Sequence, residues 1–322
     1  MARAIKAAAA LLLLVCAAGP GVAQDWPTRP VRVVVGFGPG GGTDIVARIV
    51  AQHLSELLGQ PVVVENKAGG GGIIGAETVA KSPKDGYTAF MENNGHAITA
   101  AMYKTLPFDA VKDFAPVGMV ATSALIVAAR PDLPANDMKG LVAMAKANPG
   151  KLMFASVGLG STQHFAGELL KQTAGIDLKH IPYRNTPAAI QAVRSKEVDL
   201  IFELVQPLIG QIRAGDLKAL AMTSPTRYPA MPDLVTAAES GVPGYDVTSW
   251  YGLVFPAGTP PAVIEKTNKA LREVLAREDV RKQIQDTGAV ANVSSPADYG
   301  KHVEAEIAKW KSVREKAGIE QQ

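Results

Sequence analysis

An apolar strand that breaks into a run of glycines and then into a helix leaves a chain few folds to choose from. Here the strand is Val31-Arg32-Val33-Val34-Val35, and the turn is Gly36-Phe37-Gly38-Pro39-Gly40-Gly41-Gly42-Thr43-Asp44. A helix is predicted over residues 45–58. The glycines leave backbone N–H groups uncovered, and the start of the helix adds a partial positive charge. Such a turn suits an anion, either phosphate or carboxylate, and the compartment decides between them.

Residues 1–23 read as a secretory signal peptide. Arg3 and Lys6 form its charged start, residues 7–18 its apolar stretch, and Gly21-Val22-Ala23 a cleavage site. The stretch is shorter than the roughly 20 residues a membrane span needs. Val15 is too large for a lipidation signal at Cys16. The expected location is the periplasm, with a mature chain from Gln24. Cleavage removes the single cysteine, so neither a disulfide, a thiol nucleophile nor a cysteine metal ligand is expected. The sequence carries 33 Lys and Arg against 30 Asp and Glu, and Arg3 and Lys6 leave with the leader. A nearly neutral mature chain has no basic footprint for nucleic acid.

Strands and helices then alternate, which predicts an α/β fold of parallel sheets covered by helices. Apolar runs at 117–120 and 125–129 are parted by Thr122 and Ser123. Further Gly-rich turns lie at 68–72 and 158–162, the latter opening a helix predicted over 164–173. Breaks near 123 and 246 set off a middle block. The expectation is two lobes, residues 24–123 plus 247–322 and residues 124–246, joined by two crossing strands as in a hinged clamp. A single large doubly wound sheet is the alternative.

Enzyme chemistries fit poorly. Gly36-Phe37-Gly38-Pro39-Gly40-Gly41 matches G-x-G-x-x-G, and Glu65 ends the next strand where a ribose-binding acid would sit. Against a dinucleotide, Pro39 removes an N–H donor, Asp44 puts a carboxylate near the pyrophosphate, and exported proteins seldom meet nicotinamide cofactors. No G-x-S-x-G elbow is present; Ser161, at a helix start, reads as a cap. The five histidines, His53, His96, His164, His180 and His302, show no metal-ligand spacing. His53 and His302 are expected on helix surfaces. His96 and His164, beside polar turns, are either ligand contacts or structural hydrogen-bonding groups. No catalytic residue, metal or cofactor is expected.

What remains is anion binding without chemistry. Two Gly-rich helix starts fall in different lobes, and facing lobes would point both into one cleft. Each would hold a carboxylate through backbone N–H groups and the hydroxyls of Thr43, Ser156, Ser161 and Thr162. Arg184 would add a bidentate contact or sit on the surface.

In these features the chain resembles the Bug-type periplasmic solute receptors of tripartite tricarboxylate transporters. The likeness spans essentially the whole mature chain. It is carried by Trp26-Pro27-Thr28-Arg29-Pro30, Gly40-Gly41-Gly42-Thr43-Asp44-Ile45-Val46-Ala47-Arg48, Gly59-Gln60-Pro61-Val62-Val63-Val64-Glu65-Asn66 and Asp85-Gly86-Tyr87-Thr88. Ala145-Lys146-Ala147-Asn148-Pro149-Gly150, Pro182-Tyr183, Ser249-Trp250-Tyr251-Gly252 and Pro256-Ala257-Gly258-Thr259-Pro260 extend it. The resemblance implies a type II periplasmic-binding-protein fold that holds an organic acid between its lobes and passes it, as a monomer, to membrane permease subunits. A sensory system is an alternative destination. An exported enzyme on the same scaffold is a weaker one.

By the resemblance, the carboxylate grip is formed by Phe37, Gly38, Gly40, Gly41, Thr43 and Asp44 from the first turn. Ser156, Gly158, Gly160, Ser161 and Thr162 supply it from the second, with His164 following. Three departures stand out: Gly38-Pro39 after Phe37, Arg184-Asn185 where Lys-Gly is common, and Glu203 where Asp-Asn is frequent. Glu203 faces a ligand amine or hydroxyl, or caps the strand end. These positions read the distal end of the ligand.

Overall fold

The structure, a computed structural model, describes residues 26–322. The leader, its cleavage site and Cys16 lie outside the described residues.

The first half of the chain follows a strand–helix rhythm. It runs β1 (Val31–Val35), α1 (Gly42–Leu58), β2 (Val62–Asn66), α2 (Ile73–Ala80), β3 (Thr88–Asn93), α3 (Asn94–Met102) and the long β4 (Phe114–Ala129). It continues with α4 (Met138–Ala147), β5 (Met153–Ser156), α5 (Thr162–Ala174), β6 (Lys179–Pro182), α6 (Thr186–Arg194), β7 (Leu200–Leu204), α7 (Val205–Arg213) and β8 (Lys218–Met222). The last part is β9 (Thr248–Pro256), α8 (Pro261–Ala276), α9 (Glu278–Asp286), β10 (Val290–Ala291) and α10 (Pro296–Lys316). No helix among the described residues is long and apolar enough to cross a membrane.

Two groups of strands share β4. β1 lies between β2 and β3, parallel to both, and its valines are buried on both faces, as the centre of a helix-covered parallel sheet requires. β9 runs antiparallel between β3 and β4, pairing with β4 over residues 114–124. Beyond that point β4 changes partners: residues 125–129 pair with β7 and β8, and β5 and β6 extend this second group in parallel. The chain returns through Val247, whose N–H donates to the Thr223 carbonyl just before β9 begins.

The two apolar runs read around Thr122 and Ser123 are one continuous strand. Their polar atoms do not break it because they are paired in place. The Tyr228 hydroxyl donates to the Thr122 carbonyl, and the Ser123 hydroxyl donates to the Gly288 carbonyl at 3.0 Å.

The C-terminal helix spans both strand groups. Trp310 packs edge-on against Phe165 of α5 at 5.6 Å between ring centres, while Arg314 donates to the Ala101 carbonyl of α3 at 2.9 Å. Gly252 of β9 is a close-approach position: a Cβ there would fall on the Tyr299 ring. That contact lets the buried Tyr299 hydroxyl reach Glu92 at 2.6 Å.

Candidate functional site

A cleft of about 1090 Å³ opens between the two strand groups. Both Gly-rich turns that precede α1 and α5 reach it, through Gly40, Gly41, Gly42 and Thr43 on one wall and Gly160, Ser161 and Thr162 on the other.

The first wall is a bare helix start. α1 begins at Gly42 behind Gly41, and no side chain caps it. The first N–H groups of a helix have no partner inside it, so here they face the cleft. Gly42 is required by crowding, because a Cβ there would stand 2.7 Å from the Tyr251 hydroxyl. Tyr251 lines the same cleft from β9, and burial raises the pKa of its phenol. Thr43 lies alongside. Its oxygen accepts from the Asn93 amide at 2.9 Å, which leaves its own proton for a ligand in the cleft.

Asp44, expected in the grip, turns away from the cleft. Its carboxylate accepts from the Gly40 N–H at 2.9 Å, the Asn66 amide at 2.9 Å and Arg48 Nε at 3.0 Å. Burial alone would raise its pKa, but Arg48, Gly40 and Asn66 together hold it below the usual range. Asp44 is the latch that shapes the turn. Gly38 is not among the cleft-lining residues; its carbonyl lies 3.7 Å from where a Cβ on Gly41 would sit, within the same turn.

The third Gly-rich stretch, at 69–72, supports the first turn. A Cβ on Gly36 would approach the Gly72 backbone to 2.8 Å, and one on Gly75 would approach Gly36 to 2.7 Å. The two backbones touch, so side chains are excluded on both sides.

The second wall has a capped helix start. The Ser161 hydroxyl donates to the Gly158 carbonyl at 2.7 Å and accepts from the His164 N–H at 3.2 Å. Thr162, the first residue of α5, lines the cleft beside it. Ser156, Gly158 and His164 hold this turn from behind and do not line the cleft. Ser156 is fully buried; its hydroxyl meets His180 Nε2 at 2.5 Å and accepts from the Gly158 N–H at 3.1 Å. His164 Nδ1 accepts from the Gly160 N–H at 3.2 Å, so this ring is neutral with its proton on Nε2. The His164 and His180 rings stack at 4.1 Å. Burial pushes His164 down to about 3 and His180 down to about 4.

Two further expected contacts lie elsewhere. His96 is buried under Phe108 and Phe114, with Nε2 bonded to the Ala110 carbonyl at 2.9 Å. Arg184 is exposed and is not among the cleft-lining residues, because it sits in the loop before α6 rather than on a turn aimed inward. His53 is buried in α1 rather than on its surface.

Glu203 does line the cleft, at 2 % exposure. It accepts from Gln163 Nε2 at 2.9 Å, the Leu204 N–H at 2.8 Å and the Thr186 hydroxyl at 2.7 Å. Phe37 completes the set of expected residues found at the cleft.

The lining also includes polar residues not singled out from sequence, among them Asn93, Asn94, Gln163 and Thr186, and two quoted only for the resemblance, Ser249 and Tyr251. Asn94 is 2 % exposed, its Oδ1 accepts from the Ser249 hydroxyl at 3.1 Å, and its Nδ2 has no protein partner. The signal was present in Asn93-Asn94-Gly95, a polar pair after an apolar strand that marks a helix cap. Among the lining residues Arg194 carries the one cationic side chain, and it is paired with Asp216 at 2.9 Å. No cluster of three or more potential metal-binding side chains occurs among the described residues.

Similar sequences and the same fold occur in known proteins. The family model described as "Tripartite tricarboxylate transporter family receptor" matches residues 46–319. Protein BugT of Bordetella pertussis (strain Tohama I) is 34% identical over 303 residues, covering 94% of this chain and 93% of that protein. Among solved structures, R. palustris Rpa4515 with adipate is 35% identical with a TM-score of 0.81, covering 91% of this chain and 98% of that one. MatC from Rhodopseudomonas palustris with bound malate is 32% identical with a TM-score of 0.77, covering 89% and 99%. Periplasmic binding protein BugD, 36% identical with a TM-score of 0.78, covers 92% of this chain and 100% of that one, and the two-lobed periplasmic-binding-protein fold expected above is the fold found here. With its Gly-rich helix starts opposed across a cleft and the match running almost from end to end, this chain belongs to the tripartite tricarboxylate transporter receptor family of periplasmic solute-binding proteins.

Proposed function

We propose that the cleft captures a small organic acid and that the liganded protein delivers it to the membrane subunits of a tripartite transporter. The observation that carries this reading is the uncapped start of α1, facing the Thr162 end of α5 across a cavity lined mostly by neutral groups, Arg194, Glu203 and Asp286 apart. Unpaired N–H groups at helix starts attract a carboxylate. The hydroxyl of Thr43 and the free amide hydrogens of Asn94 add neutral donors. A site built this way holds an anion without a salt bridge, which suits a ligand that must be released again. Adipate in Rpa4515 and malate in MatC are ligands of this chemical class.

The lobes in this reading are residues 24–123 with 247–322 and residues 124–246. They close about β4 and the return segment at Val247, because a ligand touching both walls stabilises the closed arrangement.

A thermal-shift screen of the mature, ligand-stripped protein against mono-, di- and tricarboxylates tests the reading. A ligand that binds only the folded state must raise the melting temperature with dose. Absence of any shift across the panel overturns carboxylate capture.

A further inference from the structure

The cleft contains a carboxylate of its own. Glu203 stands where the starts of α5 and α6 converge, held by Gln163 from the first turn of α5, Thr186 from the first residue of α6, and the Leu204 N–H. All three partners are neutral. Among the described residues Glu203 forms no ion pair, and Arg194, the one cation lining the cleft, sits at the far end of α6 from Thr186 and is already paired with Asp216. An ionised carboxylate sealed among neutral groups is costly unless it meets a positive partner. Facing the cleft, that partner can come from the ligand.

Resting on the reading of the cleft as a carboxylate site, we propose that Glu203 is a specificity residue. It selects an amino acid, one whose carboxylate lies at the start of α1 and whose protonated amine lies against Glu203, and it rejects a dicarboxylate of the same length. The second carboxylate of a diacid would be forced beside a buried like charge, which disfavours its binding. The ammonium of an amino acid instead completes the hydrogen bonding of Glu203 and neutralises it. Burial holds the Glu203 carboxyl above its ordinary value, although the Leu204 N–H, Thr186 and Gln163 each act to lower it. The ligand's positive charge acts in the same direction as those donors. The other ionisable groups near the cleft are Tyr251, whose phenol stays protonated, and Asp286 with Arg194 at its lining.

Calorimetric titrations of the ligand-stripped mature protein provide the test. The probes are 3-aminopropanoate, 4-aminobutanoate and 5-aminopentanoate, each against the diacid in which a carboxylate replaces the amine: succinate, glutarate and adipate. In the wild-type protein at least one amino acid is expected to bind ~10-fold or more tightly than its matched diacid. In Glu203→Gln that ratio should collapse or invert. The wild-type ratio decides the matter even if the variant folds poorly. Equal or tighter binding of the diacids overturns the inference, as does diacid binding with uptake of one proton, which would make Glu203 a hydrogen donor to a second carboxylate. If the carboxylate panel finds only ligands that lack an amine, and Glu203→Gln leaves their affinity unmoved, the inference falls while the receptor reading stands. If no carboxylate binds at all, the receptor reading itself fails.

Discussion

At the scale of single residues, the Asp44 carboxylate holds the first turn by accepting from the Gly40 N–H and the Asn66 amide, each at 2.9 Å. Thr43 and Asp44 are neighbours in one motif, yet Thr43 opens to the cleft while Asp44 turns inward to Gly40, Asn66 and Arg48. Period and motif carry no information about that choice; the backbone path through Gly40 makes it. Ser161 and Ser156 divide in the same way, one on the cleft and one buried behind it. Replacing Asp44 by Ala should therefore act on stability first. It leaves the Gly40 N–H and the Asn66 amide without their acceptor, a loss of ~1–3 kcal/mol, to be read from urea unfolding. Gly42→Ala should act on binding and stability together. A methyl 2.7 Å from the buried Tyr251 hydroxyl forces the cleft wall to shift, so ligand affinity should drop by ~10-fold or more and the melting temperature should fall as well. An Asp44→Ala protein with unchanged unfolding, or a Gly42→Ala protein that binds normally, would contradict these assignments.

At the scale of elements, the alternating pattern made most strands and long helices legible, since buried parallel strands and amphipathic helices write their periods into the chain. The parts that escaped reading had weak local signals. α3 is Ala-rich and starts at Asn94 directly on a strand end. α7 has a proline, Pro207, in its first turn, and Thr122-Ser123 looked like a break because its hydrogen-bond partners are distant in sequence. The turn before α5 depends on a stacked pair, His164 and His180, contributed by a helix and by β6. Both rings are neutral in the folded protein, at about 3 and about 4, against an ordinary value near 6.5. The unfolded chain binds those protons more readily, so stability is complete above about pH 6.5 and declines as pH falls toward 4. A melting curve taken at steps from pH 7 to 4 should show this decline, and a His180→Phe protein, with one of the two groups gone, should show a shallower one. An equally steep decline in the variant would assign the acid sensitivity elsewhere.

At the scale of the whole molecule, the proposed capture of an acid between two strand groups calls for closure, and closure would cover surface that is bare without a ligand. Leu159 is the exposed apolar residue best placed for that role. It is 64 % exposed at the tip of the second Gly-rich turn, and it lines the cleft. Closure should press this side chain against the ligand's apolar part or the opposite wall. Burying part of a leucine contributes on the order of 1 kcal/mol, about a fivefold change in affinity. Leu159→Ser should then weaken ligand binding by roughly that factor, with little change in the melting temperature of the unliganded protein, since an exposed leucine contributes little to the unliganded fold. Small-angle scattering supplies the second readout. Saturating ligand should reduce the radius of gyration of the wild-type protein, and the variant should need more ligand to reach the same compact state. If scattering is unchanged by ligand, the proposed closure fails. If closure occurs but Leu159→Ser binds as tightly as wild type, the second turn grips through its backbone and hydroxyls alone.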